Sequence, residues 1–293
     1  MSEMLSLTPE TIRKMQLLEL EMLVEVDRIC RKNGIKYSLD GGTMLGAVRH
    51  KGFIPWDDDA DVIFSRHEYA KFYSACKKDL DTERFFLQEY RTDPNYRWGY
   101  AKMRRKGTEF VRTNQEHMKY VTGICIDIFP EDNVPDGYLQ RRIYYGINYC
   151  IRKILYSELG MVTEKKAWKR IMYRLLYKIP RNLLFRIRNT MATHYNKKTT
   201  ELVAHTMYPN PGPTCKYGMP ATSLADFEQM EFEGMMFSVS KDWDNFLRLS
   251  YGDYMTLPPE EKRKGPAEPS KLKLIDITLE EIQERYRREN ATL

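Results

Sequence analysis

The chain has 293 residues, of which 42% are hydrophobic and 12% aromatic, and it carries a formal net charge of +6. This length allows one large domain or two small ones, and the apolar content is ample for a globular core. No stretch approaches the apolar length needed to span a bilayer, and the first residues lack the pattern of a secretory signal. The five cysteines are scattered without a Cys-x-x-Cys pair, which argues against a disulfide framework or structural zinc site and predicts a cytoplasmic protein.

The N-terminal segment, residues 1–34, is predicted to be a helix. Thr8-Pro9-Glu10 supplies an N-cap hydroxyl, a proline at the first helical position and an acid in the first turn. Asn33-Gly34 provides a matching end. A strand is expected at 35–39, followed by Asp40-Gly41-Gly42-Thr43 and a short helix from Met44 to His50.

The next part of the chain is predicted to supply the central strands. A strand follows the acidic run at 57–61, a helix is expected from Arg66 to Lys78, and further strands are expected near 85–89 and 100–104. A strand from Gly123 to Phe129 carries Asp127 at its centre and is expected to end at Pro130.

Positive charge is concentrated in the helical pattern that follows. Between Tyr138 and Thr190 the chain has thirteen Lys and Arg residues and two acids, a net charge of +11, so the remainder is about −5. Residues 171–188 interleave Leu, Ile and Tyr with Arg and Lys, as in helices that lie on anionic membranes. A peripheral membrane contact through 138–190 is therefore predicted, on the inner face of the membrane; a helical cover with a solvated basic face is the alternative. No nucleic-acid-binding module is recognised.

These elements predict an α/β (α+β) fold with a small mixed sheet at its centre, packed helices and a basic helical insertion at 138–200. The C-terminal part, 201–293, is expected to complete the same domain, with a final helix from Thr278 to Arg288.

The most distinctive feature is the run Asp57-Asp58-Asp59-Ala60-Asp61, which has four carboxylates in five residues between apolar flanks. Crowded like charges in a folded site indicate a cation among them. Asp59 and Asp61 lie two apart in an extended run, so they point to one face. Their hard oxygen ligands suit Mg²⁺ or Mn²⁺. Asp57 is interpreted as a surface or capping acid, and Asp58 is left open.

Several other residues are candidates for binding an anionic substrate. Gly41, Gly42 and Thr43 end a strand and open a helix, where the backbone can approach a phosphate. Lys102 and Arg104 share one face of a strand and could stabilise a phosphoryl group, or they could protect an exposed strand edge. Arg49 could contact a ligand, or it could complement a helix C-terminus.

Residues 37–62, Tyr-Ser-Leu-Asp-Gly-Gly-Thr to Trp-Asp-Asp-Asp-Ala-Asp-Val, resemble the hallmark of the LicD family. Asp127-Ile128-Phe129-Pro130 resembles that family's third-acid motif, and Tyr251-Gly252-Asp253-Tyr254-Met255 its C-terminal motif. The likeness covers roughly 35–259. It implies a nucleotidyltransferase-like catalytic core, at 35–137, which fukutin-type proteins share. One departure is the stretch 262–268, which stands where many relatives carry a histidine-bearing segment.

The resemblance implies transfer of a phosphorylated alcohol, most simply phosphocholine, from a CDP-activated donor such as CDP-choline to a hydroxyl of a cell-surface or lipid-linked glycan. It assigns catalysis and Mg²⁺ or Mn²⁺ ligation to Asp59, Asp61 and Asp127, with Asp61 or Asp127 as the base, and donor phosphate contact to Gly41, Gly42 and Thr43. A choline group would want an aromatic cage. The candidates for it are Trp98, Tyr100, Tyr251 and Tyr254.

Two other functions remain open from the sequence. The same carboxylates could serve a nucleotidyltransferase that adds a nucleotide to a small molecule and releases pyrophosphate. A non-catalytic nucleotide or glycan binder could also have kept this core.

Overall fold

A computed structural model describes residues 7–207, 218–263, 265 and 269–291. In chain order the elements of the first half are listed here: α1 Pro9–Lys32, β1 Ser38–Leu39, α2 Gly41–His50, β2 Asp61–Ser65, α3 Arg66–Asp79, β3 Phe85–Gln88, β4 Ala101–Arg105, β5 Glu109–Arg112 and β6 Cys125–Asn133.

The second half begins with four helices and returns to the core with short strands. Its elements are α4 Tyr138–Leu155, α5 Ser157–Thr163, α6 Ala167–Tyr177, α7 Arg181–Tyr195, β7 Leu202–Ala204, β8 Met219–Pro220, β9 Phe227–Phe232, β10 Met235–Ser240, α8 Trp243–Tyr251, β11 Pro269–Lys273 and α9 Leu279–Asn290, with single 3₁₀ turns at Ala221–Leu224 and Glu260–Lys262.

The predicted mixed sheet is confirmed. Its strand order is β1-β2-β6-β4-β3, and β7 joins the far end of β6 and pairs with β8. β2 and β6 are parallel, whereas the other neighbours are antiparallel. Because β2 and β6 are parallel neighbours at the centre of the sheet, residues from two distant parts of the chain lie side by side there, and these residues include the acids.

The predicted end of the central strand was wrong. β6 runs through Pro130 to Asn133 instead of stopping at the proline. The reason is a change of partner: β4 pairs with β6 only as far as Ile128, and β7 takes over at Asp132. Pro130 lies between these two ladders, where a missing N–H costs no hydrogen bond to either antiparallel neighbour.

Helix α1 lies inside the molecule. Thr8 caps it as predicted, accepting a hydrogen bond from the Thr11 amide at 3.2 Å. Its apolar side is buried, but so are most of its acids, and it packs against α3, α9, β4 and β6. A helix buried around most of its circumference is part of the core.

The C-terminal elements pack onto the same core. Ser238 and Ser240 of β10 hydrogen-bond to Tyr37 and Ser38 at the start of β1, and β11 pairs with β5. The predicted final helix is present as α9, which Thr278 caps with a capping box and which buries Ile282. The division into four segments stays a prediction.

The basic insertion is helical as predicted, and Pro180 stands at the N-cap of α7. Among the helices that the structure describes, none is long and apolar enough to cross a bilayer.

Candidate functional site

The carboxylates of Asp61 and Asp127 come together through strand pairing. β2 and β6 run parallel in a register that sets Asp61 beside Asp127, and the Asp127 amide donates to the Ala60 carbonyl at 2.9 Å. Along β6, Ile126 and Ile128 are buried while Asp127 is partly exposed, so the acid faces away from the core. Asp59, two residues before Asp61, is close enough to influence both acids. The structure thus places the three acids near one another, and the ion that they are predicted to share stays a prediction.

The start of α2 holds Asp61 in place. The Asp61 amide donates to Thr43 Oγ1 at 2.8 Å, and the Asp40 amide donates to the Asp61 carbonyl at 3.0 Å. Thr43 therefore positions an acid through its hydroxyl. Gly41 has φ +47°, a conformation that favours glycine, and a Cβ there would lie 3.4 Å from the Tyr251 hydroxyl. Tyr251 of the C-terminal motif thus reaches the site.

Asp57, interpreted from the sequence as a surface or capping acid, is half-buried at the start of a helix, a position that agrees with the capping interpretation. A Cβ on Gly42 would lie 2.7 Å from Asp57 Oδ2, so this carboxylate faces the first turn of α2. Burial, together with Asp59 and Asp58, raises the pKa of Asp57 to about 7. Gly42 is predicted to contact a donor phosphate. The Asp57 carboxylate lies at the same place, where the N-terminus of the helix attracts negative charge.

Negative charge is in excess at the site. Burial and the neighbouring Asp127 raise the pKa of Asp59, and burial with Asp59 and Asp127 raises that of Asp61 well above its usual value. Burial raises the pKa of Asp40, at the N-cap of α2, to about 6. Carboxylates that resist ionisation together indicate a place where an added cation is stabilised.

Basic side chains of β4 and β5 lie near these acids. Lys102 pairs with Asp127 in the β4–β6 register, and its ammonium donates to Asp127 Oδ1. Arg104 is buried, with Nε donating to Gln88 Oε1 at 2.7 Å and Nη1 to the Gly123 carbonyl at 2.6 Å. Arg104 is thus fixed in the wall. Arg112 of β5 was not predicted from the sequence. Its positive charge lowers the pKa of Asp59 and so offsets part of the increase that burial and Asp127 cause.

The donor set fits a hard divalent cation in chemistry but is not preassembled. Among residues 7–207, 218–263, 265 and 269–291, no three His, Cys, Asp or Glu side chains form a ready ligand group. One reason is that Asp127 is engaged by Lys102. Asp59, Asp61 and Asp127 offer the oxygen ligands that Mg²⁺ and Mn²⁺ prefer. For all three acids to bind one ion, Asp127 must release the Lys102 ammonium.

An aromatic cleft adjoins the acids. Asp59, Asp127 and Lys102 line it together with Trp98 and Tyr100, both predicted, and with residues that the sequence reasoning missed: Tyr96, Tyr120, Arg112 and Glu19. The Trp98 ring centroid lies 5.3 Å from that of Tyr96 and 5.0 Å from that of Tyr120. These rings form a packed wall rather than an open cage.

Glu19 of α1 lies behind this cleft. Its side chain is 1% exposed and Oε2 has no hydrogen-bond partner within the described residues. Burial, and then Asp59, raise its pKa well above the usual value. Only the fold reveals Glu19, because its spacing in α1 resembles that of a solvated acid.

A second cavity adjoins the acids. Asp61 lines it with Asp40, Gly41, Phe129, Glu131 and His205, whereas Asp59 and Asp127 line the aromatic cleft. The carboxylates therefore line two separate spaces. A reaction that joins two substrates can use such an arrangement to hold both close to the same acids.

Two predicted binding residues lie apart from both spaces. Arg49 Nη1 donates to the Tyr254 carbonyl at 2.8 Å and Nε to His50 Nε2 at 2.9 Å. The Tyr254 hydroxyl bonds to Asp244. These contacts join α2, α8 and the chain that follows. Of the stretch 262–268, Gly265 lies against Asp58, and Lys264 with 266–268 lies outside the described residues.

Comparison with known proteins agrees with this geometry. Residues 34–145 match the sequence model of the family described as "LicD/FKTN/FKRP, nucleotidyltransferase domain". The chain is 32% identical to the lipopolysaccharide cholinephosphotransferase LicD of Haemophilus influenzae over 264 residues, which cover 87% of this chain and 95% of that protein. An uncharacterized protein of Rickettsia prowazekii is 48% identical over 42 residues, 14% of this chain and 16% of its own. The chain therefore belongs to the LicD family.

Proposed function

We propose that this protein transfers phosphocholine from CDP-choline to a hydroxyl of a cell-surface or lipid-linked glycan, with Mg²⁺ or Mn²⁺ held by Asp59, Asp61 and Asp127. The observation that carries the proposal is the placement of Asp61 beside Asp127, each lining a cavity, in a chain that is similar to a cholinephosphotransferase over 87% of its length. A divalent ion held by Asp59, Asp61 and Asp127 would supply positive charge to stabilise the leaving CMP.

The aromatic cleft is the better candidate for the donor. Lys102 and Arg112 can pair with the diphosphate, and the wall of Trp98 and Tyr100 offers ring faces to a quaternary ammonium. A carboxylate also favours that group, and Glu19 lies buried at the same cleft.

The second cavity is the better candidate for the acceptor hydroxyl. Asp61 lines it and can accept the hydroxyl proton, with Asp127 as the other candidate base across the strand pair. A cytoplasmic location is part of the proposal, because free cysteines are typical of that compartment and four of them lie in the described residues.

Product analysis tests the proposal. The full chain is incubated with CDP-choline, Mg²⁺ and purified lipopolysaccharide, with EDTA as the control. We expect CMP release, choline bound to the glycan and loss of both with EDTA. Pyrophosphate release from nucleoside triphosphates would instead support the nucleotidyltransferase. Metal-dependent binding of CDP-choline, seen as a raised melting temperature, with no product would support the non-catalytic binder.

Gly42→Ala is expected to lower the rate of transfer about tenfold, because the new Cβ would displace the Asp57 carboxylate from the start of α2. The fold should persist, since the side chain that must move is flexible. Initial rates of CMP release measure the effect.

Gly146→Ala in α4 is the matched control, because a Cβ there meets nothing within 4 Å. The control should transfer at the normal rate. Equal rates in both variants would contradict the role given to this turn.

A further inference from the structure

The basic insertion exposes a large amount of apolar side chain. α6 buries no residue, and its Trp168, Ile171 and Leu175 recur at helical spacing in the open, with Trp168 61% exposed. α4 exposes Leu139, at 70%, with Ile143 and Ile147 one and two turns further on. Single exposed apolar residues are ordinary, but repeated stripes on neighbouring helices mark a binding surface.

The exposed stripes belong to helices that pack together. α6 contacts α4 and α5, and α4 contacts α7, where Leu183 and Ile187 are also exposed. We call the exposed apolar residues of α4, α6 and α7, with the Lys and Arg side chains around them, the basic apolar face. Exposed basic residues of this face include Arg142, Lys165, Lys166, Arg174 and Lys178.

We infer that the basic apolar face binds the surface of an anionic lipid bilayer. Helices that carry Trp and Leu on one side and Lys or Arg beside them insert the apolar side at the boundary of headgroups and acyl chains, while the cations meet lipid phosphates. The net charge of +11 over 138–190 supplies the electrostatic attraction. This inference goes beyond the proposed transfer and does not depend on it.

Charge argues against the other occupants of such a face. A symmetric dimer would bring two copies of the same surface together, and two such basic surfaces repel each other. Nucleic acid would satisfy the cations but would leave Trp168, Ile171 and Leu175 against a charged backbone. Of these three occupants, the anionic bilayer matches both the charge and the apolar stripes.

Vesicle sedimentation tests the inference. The full chain is mixed with vesicles of phosphatidylcholine alone or of phosphatidylcholine with about a quarter phosphatidylglycerol. We expect it to pellet with the anionic vesicles, to remain largely in solution with the neutral ones, and to dissociate at about 0.5 M salt because screening shortens the electrostatic range. Trp168 fluorescence should shift to shorter wavelength on binding, and Trp168→Phe should remove that shift.

Two sets of variants separate the contributions. Lys165→Gln, Lys166→Gln and Arg174→Gln together should weaken binding about a hundredfold, since each cation near an anionic surface contributes about fivefold. Ile171→Ser with Leu175→Ser should also release the protein from the vesicles. Matched controls are Lys77→Gln, Lys78→Gln and Lys241→Gln for charge, and Met236→Ser for an exposed apolar residue outside the face; none should change binding.

Circular dichroism melting curves identify any variant that fails to fold. Equal binding to neutral and anionic vesicles, no binding to either, or equal losses in the face variants and the controls would each overturn the inference. Concentration-dependent dimers that disappear in Ile171→Ser with Leu175→Ser would also overturn it, since a second copy would then cover the face. Phosphocholine transfer to a soluble acceptor is a separate measurement, so failure of the proposed function would be seen independently.

Discussion

Replacing Asp61 by Asn is expected to lower phosphocholine transfer about a thousandfold or more while the free protein becomes no less stable. The substitution removes a proposed metal ligand and candidate base that lines the second cavity beside Asp127. It also removes a charge that the folded state disfavours, because burial with Asp59 and Asp127 raises the pKa of Asp61. A folded-state pKa above the unfolded value means that ionisation at neutral pH destabilises the fold, so Asn relieves a cost.

Steady-state rates measure the loss of transfer, melting temperatures measure the stability, and Mg²⁺ titration calorimetry measures the weaker metal binding expected from the loss of a charged ligand. Asp226→Asn, at an exposed position between the turn after β8 and β9, is the matched control and should leave all three unchanged. Turnover near the normal rate in Asp61→Asn would refute the assignment. A large fall in melting temperature would instead show that Asp61 stabilises the fold. That result would contradict the expectation drawn from the crowded carboxylates.

The acid site could be predicted because its signals are local. Asp59 and Asp61 stand between apolar residues, and Asp127 stands between Ile126 and Ile128 in a second strand. Period-two alternation places each acid on one face, and the family resemblance supplies the pairing of the two strands. The structure adds the register, which sets Asp61 directly beside Asp127.

The remainder of the site depends on contacts between distant parts of the chain. Arg112 reaches the cleft on β5, whose partner β11 lies near the C-terminus, and the alternation in both short strands is too weak to predict either. Asp57 was interpreted as a surface or capping acid, and only the packing of α2 shows that Gly42 lies against it. Tyr251 was found from the family motif, not from its spacing.

The acids of α1 are the clearest case of burial that a sequence conceals. Glu19, Glu21 and Glu25 fall where a helix facing solvent would carry charge, yet all three are buried. Burial of Glu21 becomes tolerable because cations from other elements reach it: Arg84 before β3, Arg105 at the end of β4 and Arg285 on α9. Which arginines these are cannot be read from α1.

Glu21→Gln is expected to lower the free energy of unfolding by about 3 kcal/mol. Arg84 Nη1 and Arg285 Nη1 approach Glu21 Oε1 at 3.0 and 2.6 Å, and Arg105 Nε approaches Oε2 at 2.6 Å. Gln keeps the shape but leaves three guanidinium groups without their shared counter-charge, and breaking a buried ion pair costs about 3–5 kcal/mol. The lower figure applies because the arginines keep 14–23% of their side chains exposed.

Urea denaturation of Glu21→Gln beside Glu10→Gln measures this effect within one helix. Glu10 is 82% exposed and its nearest partner, Lys14, lies at 3.6 Å, so its substitution should change the midpoint little. Equal urea midpoints in the two variants would mean that water solvates the arginines well enough for the loss of the Glu21 charge to cost no stability. A lower midpoint in Glu21→Gln alone would show that this one carboxylate of α1 stabilises the fold through the arginines before β3, at the end of β4 and on α9.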